Sequence, residues 1–439
     1  MSKKILILTT IFSLFLGKIN AQTALTLEQS IEIALENNRN IRQQELTRQA
    51  REIAFNQARQ DLLPNLNASA GQNFMFGRSL NNDNVFQSAN SSQTTFGISA
   101  GITLFDGLRL RNNIHLRRAE MQASEADLQK MKSDITLSVT AAFLQVLMNK
   151  ELLQLAEEQL SLTQVRIEDR RALIESGRLP EGELFELQAQ AAREEFNRVQ
   201  ADNSLRLSLL DLAQILELDD FRNLSVVMPE NLNPNDILLP SAETVYENAL
   251  QNRPEIRSAE YRLQSSERNV AIARSGFSPT LSLGGNFGTA YRNFSGFENN
   301  SFGSQLNENM STGVGLNLQI PIFNRFEVQN RVRNAQLNVE SSRISVENTH
   351  LELRKTIQQA YQNALAAKSR WNAAGQTEIA AREAYRFVSQ RFENGRATQF
   401  ELFQAKNNLT QALSEQTQAK FEYVFRVKIL EILSASQQL

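Results

Sequence analysis

Two histidines, His115 and His350, and no cysteine are all that 439 residues offer to soft-metal or thiol chemistry. Without Cys there is no disulfide framework, no thiolate zinc site, no iron–sulfur cluster and no thiol nucleophile. A centre built from several histidines is excluded as well, and each His stands alone, which gives it no ligand or catalytic partner. The sequence contains no nucleophile–base set, no metal-ligand spacing and no Gly-rich phosphate loop. Its 48 Asp+Glu form no pattern beyond helix surfaces. The chain therefore reads as neither an enzyme nor a holder of cofactors. Its 46 Lys+Arg leave a net charge of −2 and a pI near 6.0, against a nucleic-acid partner. With 18 Gly, 8 Pro and 21% charged residues, the composition is that of a folded chain.

The first residues address the chain elsewhere. Lys3 and Lys4 precede an apolar stretch from Ile5 to Leu16, and Ala21 supplies a small residue at a cut before Gln22. This is the pattern of a secretory signal at 1–21, too short to span a bilayer. Its removal, with Lys3, Lys4 and Lys18, takes the net charge from −2 to −5. No Cys follows the cut, so a lipid anchor through Cys is excluded.

The remainder is written twice. Ala34-Leu35-Glu36-Asn37 and Ile41-Arg42 return as Ala249-Leu250-Gln251-Asn252 and Ile256-Arg257, and Pro64 returns as Pro279. Further on, Phe105 matches Phe323, Gly177-Arg178 matches Gly395-Arg396, and Glu183-Leu184-Phe185 matches Glu401-Leu402-Phe403. Repeats of this length are duplicated domains, not solenoid units. The first, 22–218, reads as a helix, strands near 66–76 and 94–105, a long helix near 107–176, a tip at 177–182 and a return helix near 183–218. After a linker at 219–240, the second repeat spans 241–434. It reads as a helix near 241–275, strands near 280–291 and 311–323, a long helix near 326–393, a tip at 394–400 and a return helix near 401–433. Residues 435–439 form a tail.

The long helices carry the seam of a coiled coil: Leu353, Thr356, Ala360, Ala364, Ala367 and Trp371 step by three and four. Two four-residue steps at Thr356-Ala360-Ala364 predict a stutter, and Trp371 reads as packing. The span 332–392 would be roughly 90 Å long. Each rod stops at a Gly that suits a left-handed cap. The return helix of the second copy keeps a heptad through Leu402, Ala405, Leu409 and Ala412.

Between the helices the period changes to two. Phe74 and Phe76 belong to the first alternating run, and Phe96, Ile98, Ile102 and Leu104 to the second. Leu281, Leu283 and Phe287 belong to the third, and Val314, Leu316, Leu318 and Ile320 to the fourth. One face is greasy and the other small or polar without charge, as in an outer-membrane barrel, although a half-buried soluble sheet alternates too. Four strands cannot close a bilayer-spanning barrel, because eight is about the smallest. Open edges in lipid are not tolerated. Three copies would give twelve strands, two eight and four sixteen; strand arithmetic leaves these open. Arg109, Arg111, Arg117 and Arg118 then sit at the strand-to-helix junction, as a solvated face near the membrane or a reader of anionic headgroups.

This ordered set, twice over, resembles the TolC-like outer membrane efflux proteins. The resemblance includes Leu63-Pro64-Asn65-Leu66 and Ser278-Pro279-Thr280-Leu281, the exits Leu104-Phe105-Asp106-Gly107 and Ile322-Phe323-Asn324-Arg325, and Arg391-Phe392-Glu393-Asn394-Gly395. It implies a mainly α fold with a small membrane β part. Duplicated antiparallel helical hairpins would form an α-barrel, and four strands per chain a shared twelve-stranded β-barrel in a homotrimer. It implies an exit duct in the outer membrane lipid, partnered by a periplasmic adaptor and an inner-membrane pump of the RND or ABC type. A secreted coiled-coil adaptor without a pore is the competing reading. The resemblance also places a periplasmic gate at Glu401, with Gln404 where the family has a second acid, and the acids Glu183 and Glu186 as first-copy counterparts. Each of these acids is equally a favourable charge at a helix N-terminus. The tips Gly177, Arg178, Leu179, Gly395, Arg396, Ala397 and Thr398 would cap helices and touch the adaptor.

Overall fold

The structure is a computed structural model that describes residues 23–80, 85–88, 90–178, 180–228, 234 and 238–434. The expected signal at 1–21, Leu179 and the tail at 435–439 lie outside these residues. In chain order the elements are β1 (Thr23–Leu25), α1 (Leu27–Asn37), α2 (Arg39–Gln60), β2 (Asn65–Met75), β3 (Arg78–Leu80), β4 (Phe86–Ser88) and β5 (Ser91–Phe105). Then come α3 (Arg109–Glu175), α4 (Gly182–Ile215), β6 (Leu224–Val226), α5 (Ala242–Asn252) and α6 (Pro254–Ser275). Last are β7 (Thr280–Phe294), α7 (Phe302–Glu308), β8 (Ser311–Gln319), α8 (Glu327–Glu393) and α9 (Gln399–Ser434). The chain divides into two compact units: one up to Gln44 with Leu128–Pro254 and His350–Leu439, the other Glu45–Asp127 with Glu255–Thr349.

The single helices expected before the strands are each two. Pro254 opens α6, having no N–H to lose there, and it drives Arg253 into extended backbone (φ −71°, ψ 126°). In the first copy Asn38 takes the same conformation (φ −63°, ψ 124°), and its Oδ1 accepts the Asn40 N–H at 3.0 Å. A capping box between Thr26 and Gln29 starts α1.

In the first unit the core gathers Val139, Phe143 and Leu147 of α3, Leu212 of α4, Ala34 of α1, and Phe421 and Val424 of α9 around the parallel pair β1–β6. The α8 seam runs through buried Leu353, Ile357, Ala360, Ala364 and Ala367. Thr356 is exposed, so the stutter expected at Thr356-Ala360-Ala364 is absent. Ile357 offers more apolar surface than Thr356, and taking it keeps the four–three stepping. Trp371 stacks on buried Tyr423, ring centroids 6.2 Å apart.

The second unit holds a four-stranded antiparallel sheet in the order β2-β5-β7-β8, besides the short antiparallel pair β3–β4. Its register brings Ala68, Ile98 and Phe287 side by side, and likewise Leu283 and Leu316. Side chains alternate across a sheet, so these share one face. The other face carries Asn67, Ser99, Asn286 and Gly313 in a neighbouring line. A bulge between Thr103 and Phe105 breaks the alternation expected through Leu104, and Phe105 instead partners Leu281. Phe76 and Ile320 lie just past the ends of β2 and β8. Among the described residues, the outer edges of β2 and β8 have no strand partner.

Gly107 makes the turn from β5 into α3 at φ 65°. A Cβ there would lie 2.6 Å from Ser278 Cβ, whereas one at Gly177 (φ 69°) would meet nothing. Gly177→Ala should cost about 1 kcal/mol for conformation alone. Gly107→Ala should cost at least about 2 kcal/mol, since strain and clash add. Thermal melts of the two purified variants in detergent check this; equal losses would contradict the crowding at Gly107.

Candidate functional site

Both helical hairpins of the first unit turn in the same way. At the first tip Arg178 N–H donates to Leu173 O (3.0 Å) and Gly177 N–H to Ile174 O (2.8 Å). At the second, Arg396 N–H donates to Arg391 O (2.7 Å) and Gly395 N–H to Phe392 O (3.0 Å). This paired closure needs a left-handed residue, supplied by Gly177 and by Gly395 (φ 67°). It leaves Arg178, Arg396 and Thr398 exposed and Ala397 half-buried.

Thr398 and Glu401 form a capping box at the start of α9. The Glu401 carboxylate accepts the Thr398 N–H at 2.7 Å and its hydroxyl at 3.0 Å, while Glu401 N–H donates back to Thr398 Oγ1 at 3.2 Å. The Thr398 backbone N–H, then its hydroxyl, and lastly Arg391 at 3.7 Å hold the Glu401 carboxyl below the ordinary carboxylate range. Glu401 thus performs the capping role that its position allows. It also borders a groove of about 960 Å³ between α8 and α9, with Ala384, Val388, Phe400 and Gln404. Glu183 is half-buried in the first turn of α4 and Glu186 is exposed one turn on.

Sequence reasoning missed the contacts that tie one hairpin to the other. Lys406 of α9 is buried, and its ammonium donates to Thr163 Oγ1 (2.6 Å), Glu194 Oε1 (2.8 Å) and Gln159 O (3.3 Å). Burial pushes the Lys406 pKa down, while Glu194 opposes that shift. Nearer the tips, the Arg166 guanidinium donates to the Tyr385 hydroxyl, and Arg170 lies 5.1 Å over the Phe392 ring. Lys420 reaches Glu151 at 2.7 Å. These partners lie more than 200 residues apart, where no periodicity relates them. One signal was available. Lys406, not the expected Ala405, occupies the buried line between Leu402 and Leu409, and a Lys on a seam needs a partner.

In the second unit the greasy sheet face lies open. Phe74, Phe96, Ile98, Phe287, Val314, Leu316 and Leu318 are exposed on it, with Ile102, Leu281 and Leu283 half-buried; Leu104 at the bulge and Phe76 and Ile320 past the strand ends are exposed as well. The opposite face lines a hollow with Asn65, Ser99, Ser282, Asn286 and Asn317, where the strands add no charge; farther along, Arg292 of β7 donates to Gln93 Oε1 at 3.3 Å. Glycines there sit beneath neighbouring polar side chains: a Cβ at Gly313 would lie 2.8 Å from Asn286 Oδ1. Among the described residues no helix is long and apolar enough to cross a membrane, and no group of three His, Asp or Glu could hold a metal.

An alternating sheet and two capped helical hairpins, each from one half of a duplicated chain, coincide with a known family. Residues 30–217 and 245–428 match the outer membrane efflux proteins. The chain belongs to that family. Its members are outer membrane channels and not enzymes. The outer membrane protein TolC of Vibrio cholerae is 23% identical over 377 residues, covering 85% of this chain and 82% of TolC. The cation efflux system protein CusC of Escherichia coli O157:H7 is 24% identical over 433 residues, covering 92% and 84%. A crystal structure of CusC superposes with a TM-score of 0.78 at 18% identity, covering 94% of this chain and 93% of that one. The family fold, mainly helical with few strands, is thus present here.

Removing one partner of a buried ion pair strands the other charge. Lys406→Met should therefore cost about 3–5 kcal/mol, and Lys406→Met with Glu194→Met much less. Thermal unfolding of both variants measures this; a double variant as unstable as the single one would show that Glu194 is not the stranded charge.

Proposed function

We propose that this family member is the outer membrane exit duct of a tripartite efflux or type I secretion system, working as a homotrimer. One observation carries the reading: a four-stranded sheet with a greasy face, a polar face whose strands carry a single charge, Arg292, and two edges without a strand partner among the described residues. Unpaired backbone is not tolerated in hydrocarbon, so β8 of one copy should pair with β2 of the next until a twelve-stranded barrel closes. The greasy face, from Phe74 on β2 to Leu318 on β8, then meets lipid, and the Asn- and Ser-lined face encloses the aqueous path. The first unit supports the same assembly by itself. Phe185, Phe196 and Val199 of α4 and Phe387 of α8 are large, apolar and exposed in a single chain, as side chains awaiting a neighbouring copy are.

The duct is a passive path. A periplasmic adaptor meets the tips at Gly177, Arg178, Gly395, Arg396, Ala397 and Thr398, and an RND-type or ABC-type inner-membrane pump supplies energy and selects the substrate. Leu179 belongs to the same tip. Glu401 lines the periplasmic constriction, and Glu183 and Glu186 contribute from the first copy. Like carboxylates around a narrow axis attract cations.

The chain has no native Cys, so single cysteines report cleanly on neighbours. Asn67→Cys on β2, combined one at a time with cysteines along 313–319 of β8, should give disulfide-linked trimers in outer membranes for at least one register. Monomers at every register would remove the shared barrel. For the gate, Glu401→Gln keeps a capping side chain but loses charge, whereas Glu401→Ala loses both. In planar bilayers both should lower cation selectivity, and only Glu401→Ala should also loosen the tip. Because the folded-state pKa of Glu401 is depressed, its stabilisation is fully present above the ordinary carboxylate range and fades as pH falls through the folded value. Unchanged selectivity in Glu401→Gln would leave Glu401 a cap only.

A further inference from the structure

The two strand exits of the second unit share a feature that the duct does not require. Gly107 and Leu108 leave β5 with φ 65° and 66°; Arg325 and Phe326, their counterparts 218 residues later, follow β8 with φ 51° and 63°. A left-handed conformation costs a bulky L-residue roughly 1–2 kcal/mol. Both copies nevertheless place a large apolar residue second in the pair. Neither side chain is turned inward: Leu108 is 51% exposed and Phe326 62%. Phe323 packs edge-on against Phe326 with centroids 5.8 Å apart, itself 73% exposed. These apolar side chains stand exposed just beyond the strand ends.

Cations crowd the same place. Segments 105–118 and 322–333 hold seven Arg against Asp106 and Glu327, a net +5 in a chain of −2. The loop segments at the other end of the sheet, 77–90 and 295–310, carry net 0 and −2. Asp106 is already engaged, accepting the Leu110 N–H at 3.2 Å and Arg109 at 3.3 Å. Arg111, Arg325 and Arg333 are exposed and, among the described residues, make no ion pair. Exposed apolar side chains at the strand ends, followed within about two turns by uncompensated arginines, match the boundary where acyl chains meet headgroup phosphate.

We propose that the two strand exits form a binding surface for anionic phospholipid. Leu108, Phe323 and Phe326 enter the acyl boundary, and Arg111, Arg325 and Arg333 meet the headgroup phosphate. Backbone strain at positions 108 and 326 is the cost of aiming the apolar side chains outward. This surface rests on the reading that the greasy sheet face meets lipid. It would make the periplasmic-side leaflet a specific ligand of the assembled protein.

The test is native mass spectrometry and thermal melting of the full protein in nanodiscs of phosphatidylcholine with or without phosphatidylglycerol. Wild-type protein should retain phosphatidylglycerol preferentially and melt higher with it. The combined variant Arg111→Gln, Arg325→Gln, Arg333→Gln should lose that preference at least about tenfold, with single-channel conductance in neutral lipid unchanged. Leu108→Asn with Phe326→Asn, which keeps a residue tolerant of the left-handed region, should weaken retention of both lipids. Equal retention of the two lipids by the wild type, or a triple variant with wild-type preference, overturns the proposal while leaving a conducting duct intact. So does displacement of phosphatidylglycerol by excess inorganic phosphate, which would mark a phosphate site instead. A wild type that inserts into no bilayer overturns the duct reading first, and this surface with it.

Discussion

A peptide N–H or C=O left without a partner in hydrocarbon costs several kcal/mol, and no side chain on a greasy face can supply that partner. The sheet of this protein ends at β2 and β8 with such groups along both outer edges, while its exposed face is lined by Phe, Ile, Leu and Val. In water such a sheet is an aggregation hazard. In a bilayer it is a fraction of a cylinder. The proposed trimer, with its lipid-facing band and aqueous path, would resolve that one conflict.

The helical unit works by a different balance. Along Ala360, Ala364 and Ala367 of α8 the seam is small and apolar, so helices can approach closely there. Polar side chains add specific attachment between hairpins to that of the apolar core: Lys406 with Glu194, Lys420 with Glu151, and Arg166 with Tyr385. Each bridges the two copies of the duplicated chain. A buried ion pair adds little net stability compared with apolar packing, but it fixes which residues face one another. That suits a seam of alanines, whose smooth surface alone would tolerate sliding.

Much of the fold was legible because duplication repeats each signal. Gly177 and Gly395 mark both tips, and the change of period from about 3.6 to 2 marks both pairs of strands. Where one residue decides locally, sequence reasoning was less exact. Pro254 and Asn38 split helices that periodicity ran together. Ile357 took the seam from Thr356, and the bulge before Phe105 shifted the face assigned to Leu104. At the tip, Glu401 proved to be the acid of a capping box, a role that its spacing from Thr398 already allowed.

Taken alone, the sequence determined the long helices, the four long strands, their doubled order and the capped tips. All of these depend on residues within a few positions of one another. Tertiary structure decided which strand lies beside which, with β5 against β7 joining the two copies. It also decided that Lys406 meets Glu194 and Thr163, and that Leu108 and Phe326 stand outward on left-handed backbone. Those outcomes depend on contacts between residues far apart in the chain, where neither periodicity nor local propensity carries information.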